Sequence, residues 1–290
     1  MQFLADLIVS GLAAGAIYGL FGMAYAAIYK ATGVVNFAQG EVAMLIVYLT
    51  ASVFTRIPLP FWSALLIAPL IGIATGLVLD RLVIRPMVGR PAFAIVMVTI
   101  GLAVMIRALI VLAWGSEPRE FPARAGEAVL KFGGVGLYPV QLLAFAVLAV
   151  AIAAAWALLR FSRMGLAMRA TAIDERTATL MGIDVRRVAA IAWAASAGVS
   201  ALAGVLFAST TYVGPDLFQA GLKAFPATIV GGLDSVIGSA IGGLILGVVE
   251  NLTGGYGDTA LKEIAGFVAI VAVLMIRPTG LFGARDVERL

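Results

Sequence analysis

Runs of about twenty consecutive apolar residues limit the folding choices of this chain more than any other feature. The clearest, Ala92–Trp114, carries a single charge, Arg107. A helix rises ~1.5 Å per residue, so about 20 residues cross the ~30 Å hydrocarbon core of a bilayer. Comparable runs cover about Leu7–Tyr29, Glu41–Phe54, Phe61–Leu79, Pro139–Leu159 and Val188–Thr211. A long apolar region, Phe218–Val249, follows. The final run, Ile264–Ile276, has 13 residues and is too short to span unless Lys262 and Glu263 snorkel at its start. Membrane β-barrels instead alternate over ~10-residue segments, a pattern not seen here. The runs predict an all-α integral membrane protein, a polytopic helical bundle.

Composition closes off other classes. The 290 residues are 62% hydrophobic and 12% charged, with a mean hydropathy of +1.06; soluble domains average roughly half apolar and about a quarter charged. The chain has no cysteine and no histidine. That removes disulfides, thiolate chemistry, haem, typical zinc sites and the usual general base near neutral pH. No lysine follows a glycine, so the P-loop GxxxxGK[ST] is absent, as are HExxH and a GxSxG in a strand–turn–helix setting. No catalytic residue, metal site or bound cofactor is therefore expected. A net charge of +4 is low for a nucleic-acid binder. The first run lacks a basic leader and reads as a mature span, not a cleaved signal peptide.

Three segments concentrate positive charge: Asp80–Pro91 with Arg81, Arg85 and Arg90; Arg160–Arg187 with six arginines; and the tail with Arg277, Arg285 and Arg289. The positive-inside rule places all three in the cytoplasm. Gly115–Tyr138 has three acids and three bases and falls on the outer side. If Phe218–Val249 crossed once, the tail would emerge outside. The region also contains a turn-like break, Gly231–Ser235, so it is expected to form two short arms, fully crossing or re-entrant. The count is eight or nine membrane segments, with the N-terminus outside.

A weak internal repeat accompanies the arms. Gly33, Phe37, Gly40 and Ala43 recur at an offset of 181 as Gly214, Phe218, Gly221 and Ala224. Chance in a glycine-rich chain and a duplicated broken helix of the kind transporters use both fit. NFAQGE, Asn36–Glu41, lies just before the second run. Its polar groups are costly beside hydrocarbon unless paired or lining a wet cavity, so Asn36, Gln39 and Glu41 are candidates for helix capping, for the transport pathway, or both. In Gly221–Glu250, Lys223, Gly231 and Gly232 are the matching candidates. Gly238 with Gly242, and Gly243 with Gly247, form small-residue pairs that suit close helix contact. Arg107 is expected to face the bundle interior or to reach toward the outer interface near Trp114, though seven residues, roughly 10 Å, make snorkelling alone strained; structural pairing is favoured over substrate contact.

Between two apolar runs, Arg160–Arg187 holds TAIDERTATLMG, Thr171–Gly182. Asp174, Glu175 and Arg176 stand near the start of a short helix whose dipole favours the acids, and Gly182 suits its stop. A solvated connector and a docking element for a soluble partner are both compatible with it.

Four stretches together resemble the LivH-type permease subunit of bacterial ABC importers for branched-chain amino acids. They are NFAQGE, with Gln39 where the family often has His; SRMGLAMRA followed by ATLMGIDVRRV; GLKAF through IGGLILGVVE; and RPTGLFG near the end. The resemblance covers essentially the whole chain. Pro226 and Asp234 depart from its pattern, where a small or hydroxylated residue and a glycine are expected. The resemblance implies a single transmembrane permease domain, 1–290, in the bacterial inner membrane. It implies a second, LivM-like permease, two cytoplasmic ABC ATPases that use the ATP, and a periplasmic substrate-binding protein. Thr171–Gly182 would be the coupling helix, with Asp174, Glu175, Arg176, Leu180 and Gly182 at the ATPase contact. Related systems carry urea, amides or aromatic acids, and an ATP-independent transporter or channel is the remaining alternative.

Overall fold

The computed structural model describes residues 2–283 except 124, 125, 127–129, 133 and 134. Nearly all regular structure among them is helical: α1 (Gln2–Thr32), α2 (Gln39–Arg56), α3 (Phe61–Leu79), α4 (Ala92–Trp114), α5 (Pro139–Phe161), α6 (Arg163–Ile173), α7 (Glu175–Leu180), α8 (Val185–Thr210), α9 (Phe218–Gly231), α10 (Val236–Tyr256) and α11 (Thr259–Ile276). One short antiparallel hairpin, β1 (Leu130–Phe132) with β2 (Val135–Leu137), sits in the α4–α5 connection. Among the described residues six helices are long and apolar enough to cross a membrane: α1, α3 with its extension to Met87, α4, α5, α8 and α10. Large apolar side chains on their outer faces are bare, Leu66 at 72% and Leu112 at 83% exposure, as lipid contact requires.

Prolines open the peripheral spans. Pro60 and Pro91 occupy the cap positions of α3 and α4, and Pro139 is the first residue of α5, where its missing N–H is no loss. The expected bend in Phe218–Val249 is present. Gly232 turns the chain at φ +109, a conformation that side chains resist, and Ser235 Oγ accepts the Gly238 N–H at 3.1 Å to start α10. The last helix begins at Thr259, before the apolar run, and so reaches 18 residues with Lys262 and Glu263 included.

Burial ranks the helices. In the most apolar windows of α1 and α8, 67% and 72% of residues are buried, against 11% for α5, which is peripheral. Small residues let α1 lie against α10. A Cβ on Gly15 would stand 2.7 Å from the Gly243 carbonyl oxygen, and one on Gly11 2.9 Å from that of Gly247. Of the expected small-residue pairs, Gly243 and Gly247 thus face α1, whereas Gly238 and Gly242 face α9. On the other side, Gly72 and Gly76 of α3 approach the Ala197 and Trp193 carbonyls of α8, each at 2.6 Å from a built Cβ.

The pairing has an inverted plan. α1 and α8 are antiparallel, since Ala31 packs with Val188 while Ser196 Oγ donates to the Ala24 carbonyl at 2.8 Å. Helices α2 and α9 meet at their N-termini: a Cβ on Gly40 would lie 2.5 Å from the Phe218 oxygen, and one on Gly221 2.6 Å from Gly40 Cα. They then diverge, α2 toward Phe121 and α9 toward Leu281. The units α1–α2–α3 and α8–α9–α10 therefore run oppositely and interlock, α1 on α10 and α8 on α3. The 181-residue offset has a spatial counterpart, because Gly40 and Gly221 touch.

The basic segments gather at one end. Met168 packs with Ala31 and Val188, and Ile84 packs with Ile28 and Trp193. Lys30 Nζ donates to the Asp234 carbonyl at 2.9 Å, and Leu281 N–H donates to Val230 at 2.9 Å. At the opposite end, Arg119 and Val213 exchange backbone hydrogen bonds of 2.9 and 2.7 Å, joining the α4–α5 and α8–α9 connections. Arg285 and Arg289 lie outside the described residues.

Candidate functional site

The segment between α1 and α2, with the first turn of α2, buries a cluster of polar side chains. Asn36, Gln39 and Glu41 are 1%, 1% and 4% exposed. They are not helix caps: the N-cap of α2 is Ala38, with no side-chain cap. Asn36 Oδ1 instead accepts the Ala38 N–H at 3.0 Å in a local turn, and Asn36 Nδ2 donates to Gln39 Oε1 at 2.8 Å. Gln39 Nε2 in turn donates to Ser196 Oγ at 3.0 Å and to Ser200 Oγ, both on α8. This network ties the α1–α2 break to the central helices, and each member gains a partner that burial would otherwise deny it.

The structural pairing favoured for Arg107 is present as an ion pair. Its Nη2 lies 2.5 Å from Glu41 Oε1, and its guanidinium stacks 3.6 Å over the Phe218 ring at the start of α9. One charge pair thus clasps α4, α2 and α9 where the two broken segments meet.

Below this junction, toward the basic end, opens a cavity of about 760 Å³. Asn36, Thr99, Arg90, Trp193, Glu175, Arg176 and Leu180 are among the residues that line it. Trp193 Nε1 is a buried donor without a hydrogen-bond partner. The sequence candidates from NFAQGE and from the basic loop therefore share one cavity.

The loop is not one continuous helix over Thr171–Gly182. Asp174 breaks it with extended backbone (φ −159, ψ 110), ending α6 and capping α7. Its Oδ1 accepts the Arg176 N–H at 2.9 Å and its Oδ2 the Thr177 hydroxyl at 2.5 Å. The Thr177 hydroxyl first, then the backbone N–H groups of Arg176 and Thr177, hold the Asp174 carboxyl below its ordinary range. At the other end Gly182, at φ +86, donates to Thr179 O and Ile183 N–H donates to Ala178 O, both at 3.0 Å, a paired glycine stop. Ile173, Leu180 and Met181 are 87%, 86% and 79% exposed, an uncovered apolar patch outside the bundle.

The remaining candidates lie apart. Gly231 and Gly232 sit at the basic end, where Gly231 packs on Gly238 and Gly232 on Gly283. Lys223 is half-buried on α9, two residues beyond Gly221. Reading the sequence missed Ser196 and Ser200, although their spacing of four marks one face of α8. It also missed the hydrogen bond from Tyr18 to Glu250 Oε2 at 3.1 Å. Among the described residues no group of three or more acids could hold a metal.

The family described as "Branched-chain amino acid transport system / permease component" matches residues 7–276. The chain is 32% identical over 312 residues to the high-affinity branched-chain amino acid transport system permease protein LivH of Escherichia coli (strain K12), covering 100% of this chain and 99% of that protein. It is 29% identical to the corresponding protein BraD of Pseudomonas aeruginosa, over 98% of this chain and 97% of BraD. More distantly it is 24% identical to E. coli LivM, a permease protein of the same named system, over 91% of this chain and 67% of LivM.

Proposed function

Because this chain belongs to the family of branched-chain amino acid transport permeases, we propose that it is the membrane subunit of an ABC importer whose ATP is hydrolysed by separate subunits. It is a multi-pass membrane protein and a transport permease. The cargo class is branched-chain or closely related amino acids, passed on by a soluble binding protein on the outer side. A second, LivM-like permease completes the pathway, two ATPases dock from the cytoplasm, and the assembly lies in a bacterial inner membrane. This chain binds no cofactor of its own. Its 290 residues form one permease domain, with 160–187 as the cytoplasmic coupling loop. Nine segments cross: the six long helices, α11, and α2 and α9, each completed by the non-helical residues before it.

The observation that carries this reading is the shared cavity. Glu175, Arg176 and Leu180 on α7 line the same 760 Å³ space as Asn36 of the buried polar junction. A partner that seats on the bare Ile173–Leu180–Met181 patch and shifts α7 would reshape the mouth of that space. Closure of the ATPases around ATP would then rock the permease pair between outward and inward openings. Asp174, Glu175, Arg176, Leu180 and Gly182 form the handle; Asn36, Gln39, Glu41 and Lys223 belong to the moving pathway, with Gly231 and Gly232 as its packing hinge.

Reconstitution with its neighbouring gene products in liposomes tests this. Ligand-loaded binding protein should stimulate ATP hydrolysis, and Glu175→Arg should weaken ATPase association while leaving membrane insertion intact. ATP-independent uptake by this chain alone would refute the importer reading, and unchanged association of Glu175→Arg would remove α7 from the contact.

A further inference from the structure

A second cavity, about 470 Å³, has a different character. It lies where peripheral α5 stands off α1 and α8, and its lining is apolar, including Val150, Ala154, Leu158 and Ala192, except for one charged side chain, Lys30. Along α5 it runs from Ala146 to Leu159, roughly 20 Å at ~1.5 Å per residue. One leaflet of a ~30 Å hydrocarbon core is about 15 Å deep. The groove therefore runs inward from the basic end of the bundle for at least the depth of one leaflet, about the reach of one acyl chain.

Its mouth carries the marks of a headgroup level. Arg160, one residue past the groove, stacks 5.5 Å over Trp156 and 5.9 Å over Phe161, an aromatic and basic anchor of the kind found at bilayer interfaces. Lys30 Nζ is held by the Asp234 carbonyl at 2.9 Å, and Arg169 Nη1 by the carbonyl of Leu159, itself a groove residue. Both anchors are neutral backbone oxygens, so the cations are placed without being neutralised by them. Arg160 and Arg163 flank the same end of α5 in the chain.

From this charge and length match we infer that the α1–α5–α8 groove binds one acyl chain of an anionic phospholipid, its phosphate held by Lys30 and Arg169. The groove excludes a polar solute by its lining and a zwitterionic lipid gains little from its mouth. Each cation near an anionic headgroup is worth about a fivefold affinity change. The site needs only that the basic end lies among headgroups; that the leaflet is the cytoplasmic one rests on the orientation proposed above.

Native mass spectrometry of the purified full chain, exchanged into detergent with phosphatidylglycerol or phosphatidylcholine of identical acyl chains, tests the inference. Phosphatidylglycerol should be retained at least about tenfold better. Lys30→Gln with Arg169→Gln should erase that preference, and Ala154→Phe, which fills the groove, should abolish retention of both lipids. Tryptophan-fluorescence melting checks the fold of each variant, and Val150→Trp replaces Ala154→Phe if the latter melts early. Equal retention of the two lipids by the unaltered chain, or full retention by a folded groove-filled variant, would overturn it. So would a groove-filled variant that loses the second permease but keeps its lipid. Failure of the orientation alone would show as reversed labelling of the basic loop, with these lipid results unchanged.

Discussion

At the residue scale, the pair Glu41–Arg107 decides more than either partner. The Glu41 side chain is 6% exposed and touches the guanidinium at 2.5 Å, so removing Arg107 strands a buried carboxylate. Breaking a fully buried pair costs about 3 kcal/mol; with the Arg107 side chain 42% exposed the cost here is a part of that, whereas replacing both members with neutral groups is often near neutral. Arg107→Met should therefore lower the melting temperature sharply, and Glu41→Gln with Arg107→Met should recover most of the loss, as read by tryptophan fluorescence in detergent. Equal losses in the single and double variants would show that stacking on Phe218, not charge, holds the junction. The sequence made Arg107 conspicuous because an arginine within an apolar run has to find an anion or an interface. Ser196 and Ser200 were not conspicuous, since a serine in a span satisfies its hydroxyl on its own helix as readily as on another. Only the α8-to-α2 contact distinguishes the two.

At the element scale, α7 has six residues and depends on its ends. A helix this short does not persist on propensity. Losing the N-cap frees its backbone N–H groups, so Asp174→Ala should raise amide exchange over residues 175–182, while Asp174→Asn, still a cap, should not. Because the folded carboxyl titrates below its unfolded value, its capping contribution is complete above the unfolded value of about 3.9 and disappears as pH falls through the folded one. Exchange protection of α7 should hold from neutral pH down to about 4 and fail only in stronger acid, a fall that Asp174→Asn would not show. A flat profile in the unaltered chain would remove the carboxylate from the cap. The sequence showed the acids and Gly182, but not the break, because an acid in a helix first turn and an N-cap differ only in backbone angle.

The head-to-head meeting of α2 and α9 was legible only as a faint repeat, since what it requires is absence of side chains. A methyl on Gly40 would lie 2.5 Å from the Phe218 carbonyl oxygen, whereas one on Gly101, in α4, meets nothing within 4 Å. Gly101→Ala should be neutral or stabilising by about 0.5–1 kcal/mol through backbone entropy, and Gly40→Ala destabilising by about 1–3 kcal/mol through overpacking. Equal melting temperatures for the two would mean that the helices part freely.

At the scale of the whole molecule, the inverted plan and the charge distribution meet in one question of parity. Six long helices alone would return the chain to the side where it began. The basic segments, however, gather at one end, including the start of the tail at Arg277, while Glu117 and Tyr212 belong to connections at the other end. An N-terminus at the opposite end from the tail requires an odd count. That count is supplied when α2 and α9 both complete a crossing and α11 adds a third. Residues 33–38 and 211–217, bends and turns rather than helix, precede helices of 18 and 14 residues; in the nine-segment arrangement proposed above they complete the two crossings, since non-helical backbone at membrane depth is tolerated where protein or a wet cavity covers it. The chain has no cysteine, so single cysteines report sidedness directly. In intact cells a membrane-impermeant maleimide should label Glu117→Cys, Arg56→Cys and Tyr212→Cys, and should reach Arg90→Cys, Met181→Cys and Arg277→Cys only after the membrane is opened. Labelling of Arg277→Cys from outside would make one broken segment re-entrant. The two halves would then no longer be inverted copies, and the Gly40–Gly221 contact would lose its meaning as the point about which they turn.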